Sequence, residues 1–290
     1  MGYDEIRKER VKKANLLKIF PENLSLNNYK GQAETWNSLS SEQQIASSRA
    51  MEIYAAMVES MDFHIGRLID YLKDTSSLDN TVILFMSDNG ASGSDSSWRP
   101  KLIPRSDWDN SLSNMGREGS WTAYGRGWGE AATAPYRELK GSLYSGGTLA
   151  ATFVNHNSIK NSGGFDRRYL TVMDILPTFL DIANMNEMET EESPPVRGRS
   201  FWKQLQGEDI PVHDKSESIP WMTSETKQAL VRWPWKIIQI QSDDDDANIL
   251  TGDRNKWLLF NLVDDPGETI NLANQYPKIQ SELIAQWLKL

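Results

Sequence analysis

Thr81-Val-Ile-Leu-Phe-Met-Ser-Asp-Asn-Gly90 is the stretch that decides the fold. The six residues from Thr81 to Met86 are apolar or β-branched and carry no charge. Such a run predicts a strand buried on both faces, as at the centre of an α/β sheet. It stops abruptly at Ser87-Asp88-Asn89-Gly90, where two oxygen-bearing side chains precede a glycine that lets the chain turn. In open α/β sheets ligands bind beyond the carboxyl ends of parallel strands, and hard cations such as calcium take oxygen ligands of this kind. From these residues alone two readings stand: an Asx turn without metal, and a cation site at Asp88 and Asn89.

Working upstream, Asp74 to Asn80 is a loop, and before it apolar residues recur at helical intervals from Ile45 to about Lys73. This predicts a long amphipathic helix laid on the sheet. Ser40 and Gln43 stand at capping-box spacing at its start. His64 falls in the apolar stripe and is expected to be buried and satisfied by a neighbour. Residues 4–20 predict a short helix ending before Pro21.

Working downstream, residues 91–139 hold no convincing long element but carry Trp98, Trp108, Trp121, Tyr124 and Trp128. A long aromatic loop of this sort is expected to be ordered and to form a pocket. Arg137 to Gly147 follows, with Lys140 near the paired Gly146 and Gly147. Two readings remain for Lys140: an ammonium offered to an anion beside a close backbone, or a surface turn. Leu149 to Val154 predicts a second buried strand, with His156 exposed at its tip. Tyr169 to Ala183 predicts a helix that Pro177 should end or kink. Four short runs, 219–224, 228–232, 235–241 and 256–262, predict a small antiparallel sheet. Asp243 to Asp246 is expected to be a solvated hairpin tip, and 277–290 an amphipathic helix covering the sheet.

The fold class implied is α/β, with residues 1–214 as the α/β domain and 215–290 as a small antiparallel-sheet subdomain. The chain has 290 residues, 39% of them hydrophobic, enough for a sizeable core. A net charge of −9 argues against nucleic acid as a partner and against a basic membrane-surface role. With no cysteine there is no disulfide, no thiolate metal site and no cysteine nucleophile. The first ten residues carry no signal-like hydrophobic run and no stretch is long enough to span a bilayer, so the expected localisation is cytoplasmic.

Six segments, in this order, resemble the C-terminal half of a sulfatase of the alkaline-phosphatase-like superfamily, and the bacterial and fungal arylsulfatases most of all. They are Tyr54 to Arg67, Leu84-Phe-Met-Ser-Asp-Asn-Gly90, Asp109 to Gly116, Lys140 with Gly146-Gly147, Thr171-Val-Met-Asp-Ile-Leu-Pro-Thr178, and Leu259 to Ala273. The resemblance implies part of a doubly wound sheet with helices on both faces. It implies that Asp88 and Asn89 are calcium ligands and that Lys140 contacts the sulfate group. In the family, calcium and basic side chains hold the sulfate oxygens while a geminal diol on a formylglycine attacks sulfur.

The departures are specific. The formylglycine precursor of the family lies in a Cys/Ser-x-Pro-x-Arg pattern near the start of the fold. The formal match here, Ser193-Pro-Pro-Val-Arg197, is read as a decoy because it comes late in the chain. The family's paired N-terminal aspartates and its upstream lysine and histidines have no counterpart, and Gly146-Gly147-Thr148-Leu149 lacks the arginine that usually follows the glycines. The expectation is a sulfatase homologue, a hydrolase of sulfate esters, that lacks its N-terminal catalytic half and is inactive alone. Its expected partners are a small sulfate ester and a separate N-terminal half. Two other functions stand beside it: a non-catalytic remnant that binds anions or proteins, and a phosphate or phosphonate ester hydrolase of the same superfamily.

Overall fold

The computed structural model describes residues 1–20, 31–94, 108–185, 195–224, 227–240 and 257–290. Trp98, Ser193 and the Asp243–Asp246 run lie outside them. The architecture is mixed α/β with a separate C-terminal antiparallel sheet.

Helix α1 (Tyr3–Leu16) packs on α3 (Arg126–Thr133). Their contact is aromatic: Tyr3 meets Trp36 edge-on at 5.1 Å and Trp128 at 5.6 Å. Helix α3 is an element that the sequence did not announce. Its segment, Arg-Gly-Trp-Gly-Glu-Ala-Ala-Thr, holds two glycines that weaken intrinsic helicity, and packing supplies what propensity does not. Trp128, Gly129, Glu130 and Ala131 are all buried.

Helix α2 (Ser41–Asp74) starts on the expected capping box: Ser40 Oγ accepts from Gln43 N, and Ser40 N donates to Gln43 Oε1. Its packing is not as expected. Ala50 is its one buried residue among those described, and Met57, Phe63, Leu68 and Tyr71 are each more than half exposed. His64 is exposed as well, with Nδ1 3.1 Å from Arg67 Nη1. The periodicity is helical, and its N-terminal part is covered, with Ala50 buried, Met51 against the Tyr3–Trp128 cluster and Tyr54 against Tyr124 at 4.7 Å, whereas Met57, Phe63 and Leu68 lie open.

Strand β1 (Ile83–Met86) pairs antiparallel with β2 (Thr152–Asn155), in register Phe85 to Phe153, and the two rings stack at 5.0 Å. The pair therefore departs from a parallel strand buried on both faces: β1 is half-buried throughout, and β2 is exposed except at Val154. His156, just beyond β2, is not free in solvent but lies 5.6 Å from the Trp202 ring. Helix α4 (Ser145–Thr148) precedes β2. Helix α5 (Ile175–Ile182) is shorter than its apolar pattern, because Pro177 sits in its first turn, where no helical N–H partner is required. Helix α6 (Trp202–Leu205) is a single turn.

The C-terminal sheet matches expectation closely. Strands β3 (Ile219–Ser224), β4 (Lys227–Arg232), β5 (Trp235–Ile240) and β6 (Trp257–Asn261) run as an antiparallel meander in that order. Alternation sorts the side chains onto two faces. Leu230, Ile237 and Leu259 face α7 (Pro277–Trp287), whose Leu283 is fully buried against them. Ala229, Ile238, Leu258 and Phe260 form the other face and pack against Leu143 and Tyr144. The sheet is thus covered by the expected helix on one side and, on the other, by the loop that carries Lys140. Among the described residues no helix is long and apolar enough to cross a membrane.

Candidate functional site

The tip that follows β1 and the loop 137–147 meet directly. Lys140 N donates to Ala91 O at 2.9 Å, and Gly90 N donates to Gly147 O at 3.0 Å. These two backbone bonds hold Asp88, Asn89 and Lys140 in one region although they are about fifty residues apart in sequence. The approach requires glycine. A Cβ on Gly90 would lie 1.8 Å from Gly146 O, and one on Gly146 would lie 2.1 Å from Glu138 O. Gly90 is therefore needed for close contact with the loop, a stronger reason than the turn inferred from its position.

At the tip, Ser87 N donates to Ala151 O and Ser87 Oγ donates to Asn89 O, which secures the chain as it leaves β1. Asn89 Nδ2 donates to Asp88 Oδ1. Asn89 Oδ1 is buried. A buried carbonyl oxygen normally finds a donor, and this one has none among the described residues. The Asp88 carboxyl is held below its ordinary value, first by the hydrogen bond from Asn89 and in smaller part by the charge of Lys140. Lys140 is exposed.

An oxygen pair of this kind suits a hard cation. No group of three or more His, Cys, Asp or Glu suited to a metal occurs among the described residues. For formylglycine the chain has no cysteine precursor, and the one formal serine match, Ser193, lies outside the described residues.

Two buried polar clusters went unnoticed in the sequence. In the first, Asp174 is fully buried and accepts from Thr171 N (2.6 Å), Arg199 N (2.8 Å) and His213 Nε2 (2.8 Å). In the second, Lys236 Nζ lies 2.7 Å from Glu268 Oε1, with both side chains almost wholly buried. A lysine in the otherwise apolar run of β5 was the available signal for the second. The aromatic loop resolves into separate parts: Trp128 is core, whereas Trp108 and Trp121 stack on each other at 5.1 Å.

Comparison with known proteins gives the family. The profile of the Sulfatase family matches residues 21–185, more than half of the chain. The chain belongs to the sulfatase family. Within that family, it is 36% identical over 295 aligned residues to an uncharacterized sulfatase of Schizosaccharomyces pombe, covering 99% of this chain and 51% of that protein. It is 31% identical over 199 residues to an arylsulfatase of Klebsiella aerogenes, covering 67% of this chain and 42% of that one. The crystal structure of a sulfatase from Pseudoalteromonas sp. superposes with a TM-score of 0.52 at 20% identity, over 81% of this chain and 41% of that chain. This last likeness carries the fold alone. The sulfatase chain spans about half the length of the curated relatives it matches.

Proposed function

We propose that the chain supplies part of a calcium-dependent site that hydrolyses sulfate esters, of the arylsulfatase type. Asp88 and Asn89 would hold the cation and Lys140 would contact the sulfate oxygens. The observation that carries this reading is the buried Oδ1 of Asn89, without a hydrogen-bond partner among the described residues, beside the Asp88 carboxyl in a tip bonded to the loop of Lys140. When bound, calcium offsets charge on the group being transferred. The residues of this chain do the rest of what can be derived. Asp88 contributes a formal negative charge, Asn89 a neutral oxygen, and Lys140 a compact positive charge on an exposed stem that can reach a tetrahedral anion. The contacts of Gly90 and Gly147 keep the two ends of that arrangement in register.

None of these groups is a nucleophile. We propose that the nucleophile comes from a separate N-terminal half. The test is release of phenol from an aryl sulfate by the purified chain with calcium, beside a Lys140→Ala control. The expected result is no release above the control. Release above it would overturn the inactivity of the chain alone. Saturable binding of inorganic sulfate that is lost in Lys140→Ala supports the anion role, and equal binding by both proteins would end it.

A further inference from the structure

The loop of Lys140 is anchored from below by the C-terminal sheet. Glu268 is fully buried and leaves its turn with a φ of 53°. Its Oε2 accepts from Ser145 N at 2.5 Å and its Oε1 pairs with Lys236 Nζ at 2.7 Å. Its backbone carbonyl accepts from Arg137 Nη1 at 3.4 Å, and the Arg137 guanidinium stands 4.6 Å above the Tyr144 ring. Arg137 O in turn accepts from Gly146 N at 2.7 Å. Glu268 therefore holds the loop near both ends, through its backbone carbonyl at Arg137 and its carboxylate at Ser145, and Lys140 lies between them.

We infer that Glu268, held by Lys236, is a positioning residue that fixes the Lys140 loop against the Asp88–Asn89 tip. This deepens the proposed function and rests on it for the role of Lys140. Buried ion pairs are weak sources of net stability, because desolvation offsets the attraction. The bond to Ser145 N has a clearer consequence. It fixes the first residue of α4, which leads directly into Gly146 and Gly147, and Gly147 O receives Gly90 N. Strand β5 contributes the lysine, and the turn after β6 contributes the glutamate. The small sheet would then set the geometry of a site to which it adds no ligand.

Three variants separate the tether from the charge. Glu268→Leu/Lys236→Met removes both. Glu268→Gln/Lys236→Met removes the charge and keeps an oxygen for Ser145 N. Ser145→Pro removes the backbone donor and leaves Glu268 and Lys236 in place, at a first helical position and after Tyr144 in extended backbone (φ −68°, ψ 160°), where proline fits, and Ser145→Ala controls for the lost hydroxyl. The readouts are amide hydrogen exchange at Lys140 and Gly90, and binding of inorganic sulfate, with exchange in β4 as the check on folding. The expected result is exchange at both amides faster by about tenfold in the first and third variants, with β4 unchanged, weaker sulfate binding, and near wild-type behaviour in the second. Unchanged exchange at Lys140 and Gly90 in a folded first or third variant overturns the inference. Faster exchange combined with sulfate binding that never depended on Lys140 supports the tether and overturns the sulfate reading instead. The third variant decides the matter if the first does not fold.

Discussion

Strands β1 and β6 have similar sequences and opposite fates. Ile83-Leu-Phe-Met86 and Trp257-Leu-Leu-Phe-Asn261 are both short, apolar and uncharged. Leu258, Leu259 and Phe260 have at most 1% exposure, whereas no residue of β1 is fully buried. The difference lies in what surrounds them. Strand β6 pairs with β5 and has α7 on one face and Leu143–Tyr144 on the other. Strand β1 pairs only with β2 among the described residues, and Met57, Met61, Phe63 and Leu68 of α2 lie open to solvent. Apolar composition states a strand's demand for burial, and the neighbours decide whether it is met. An apolar surface left open in this way invites association, which fits the proposal that a further half of the fold packs there.

The largest expected effect is on local stability. Amides of Leu230, Ile237 and Leu259 should exchange more slowly than those of Leu84 and Phe153 by about a thousandfold or more, since core elements open only with the whole unit. Equal protection in the two sheets would erase the contrast. Truncation sharpens it further. Phe260→Ala should cost about 4 kcal/mol in chemical denaturation, whereas Phe153→Ala, at 54% exposure, should cost about 1 kcal/mol or less. Similar losses would mean that β2 is better covered than it is here.

How much of this was legible differs between the same two regions. The four strands of the C-terminal sheet were readable to within about a residue and its closing helix to within three, since it ends at Trp287, because alternation, turn residues and burial all agree there. The identity of β1 and α2 was equally readable. Their environment was not, because a hydrophobic period describes one partner of a contact and says nothing about whether the other is present. Helix α3 was hidden by its glycines and by a burial that only long-range packing with Tyr3 creates. Of the candidate site, the residue types at Asp88, Asn89 and Lys140 were visible. The bonds that join them, Lys140 N to Ala91 O and Gly90 N to Gly147 O, involve backbone atoms that every sequence has and so leave no signature. Asp174, which falls inside the helical pattern of residues 169–183, also gathers donors from nearby Thr171 and, from distant parts of the chain, Arg199 and His213.

The open face of α2 makes the next prediction. Replacing Phe63 and Leu68 by lysine should reduce self-association in sedimentation while shifting stability by about 0.5 kcal/mol or less, because both side chains are exposed. A clean monomer in the unmodified chain would remove the association altogether. The smallest expected effect is alkaline. Burial pushes the Tyr169 phenol up from near 10 to about 12, with Asp174 adding to it and the Trp221 bond opposing it. Its folded value is raised, so its contribution to stability is full below about pH 10 and is lost as pH rises toward about 12. Tyr169→Phe should show a shallower loss of stability across that window, and an unchanged alkaline slope would count against burial of the hydroxyl. Tyr169 stacks on Trp233 at 5.3 Å, so this titration reports on contact between the sheet and the rest of the chain.

Calorimetric titration of calcium into the purified chain, beside Asp88→Ala and Asn89→Ala, tests the central proposal most directly. Two protein oxygens should bind weakly, with a dissociation constant on the order of millimolar, and the heat should vanish in either variant. A calcium affinity that is the same in all three proteins, or no heat in the unmodified chain at millimolar calcium, would contradict the assignment of Asp88 and Asn89 as cation ligands.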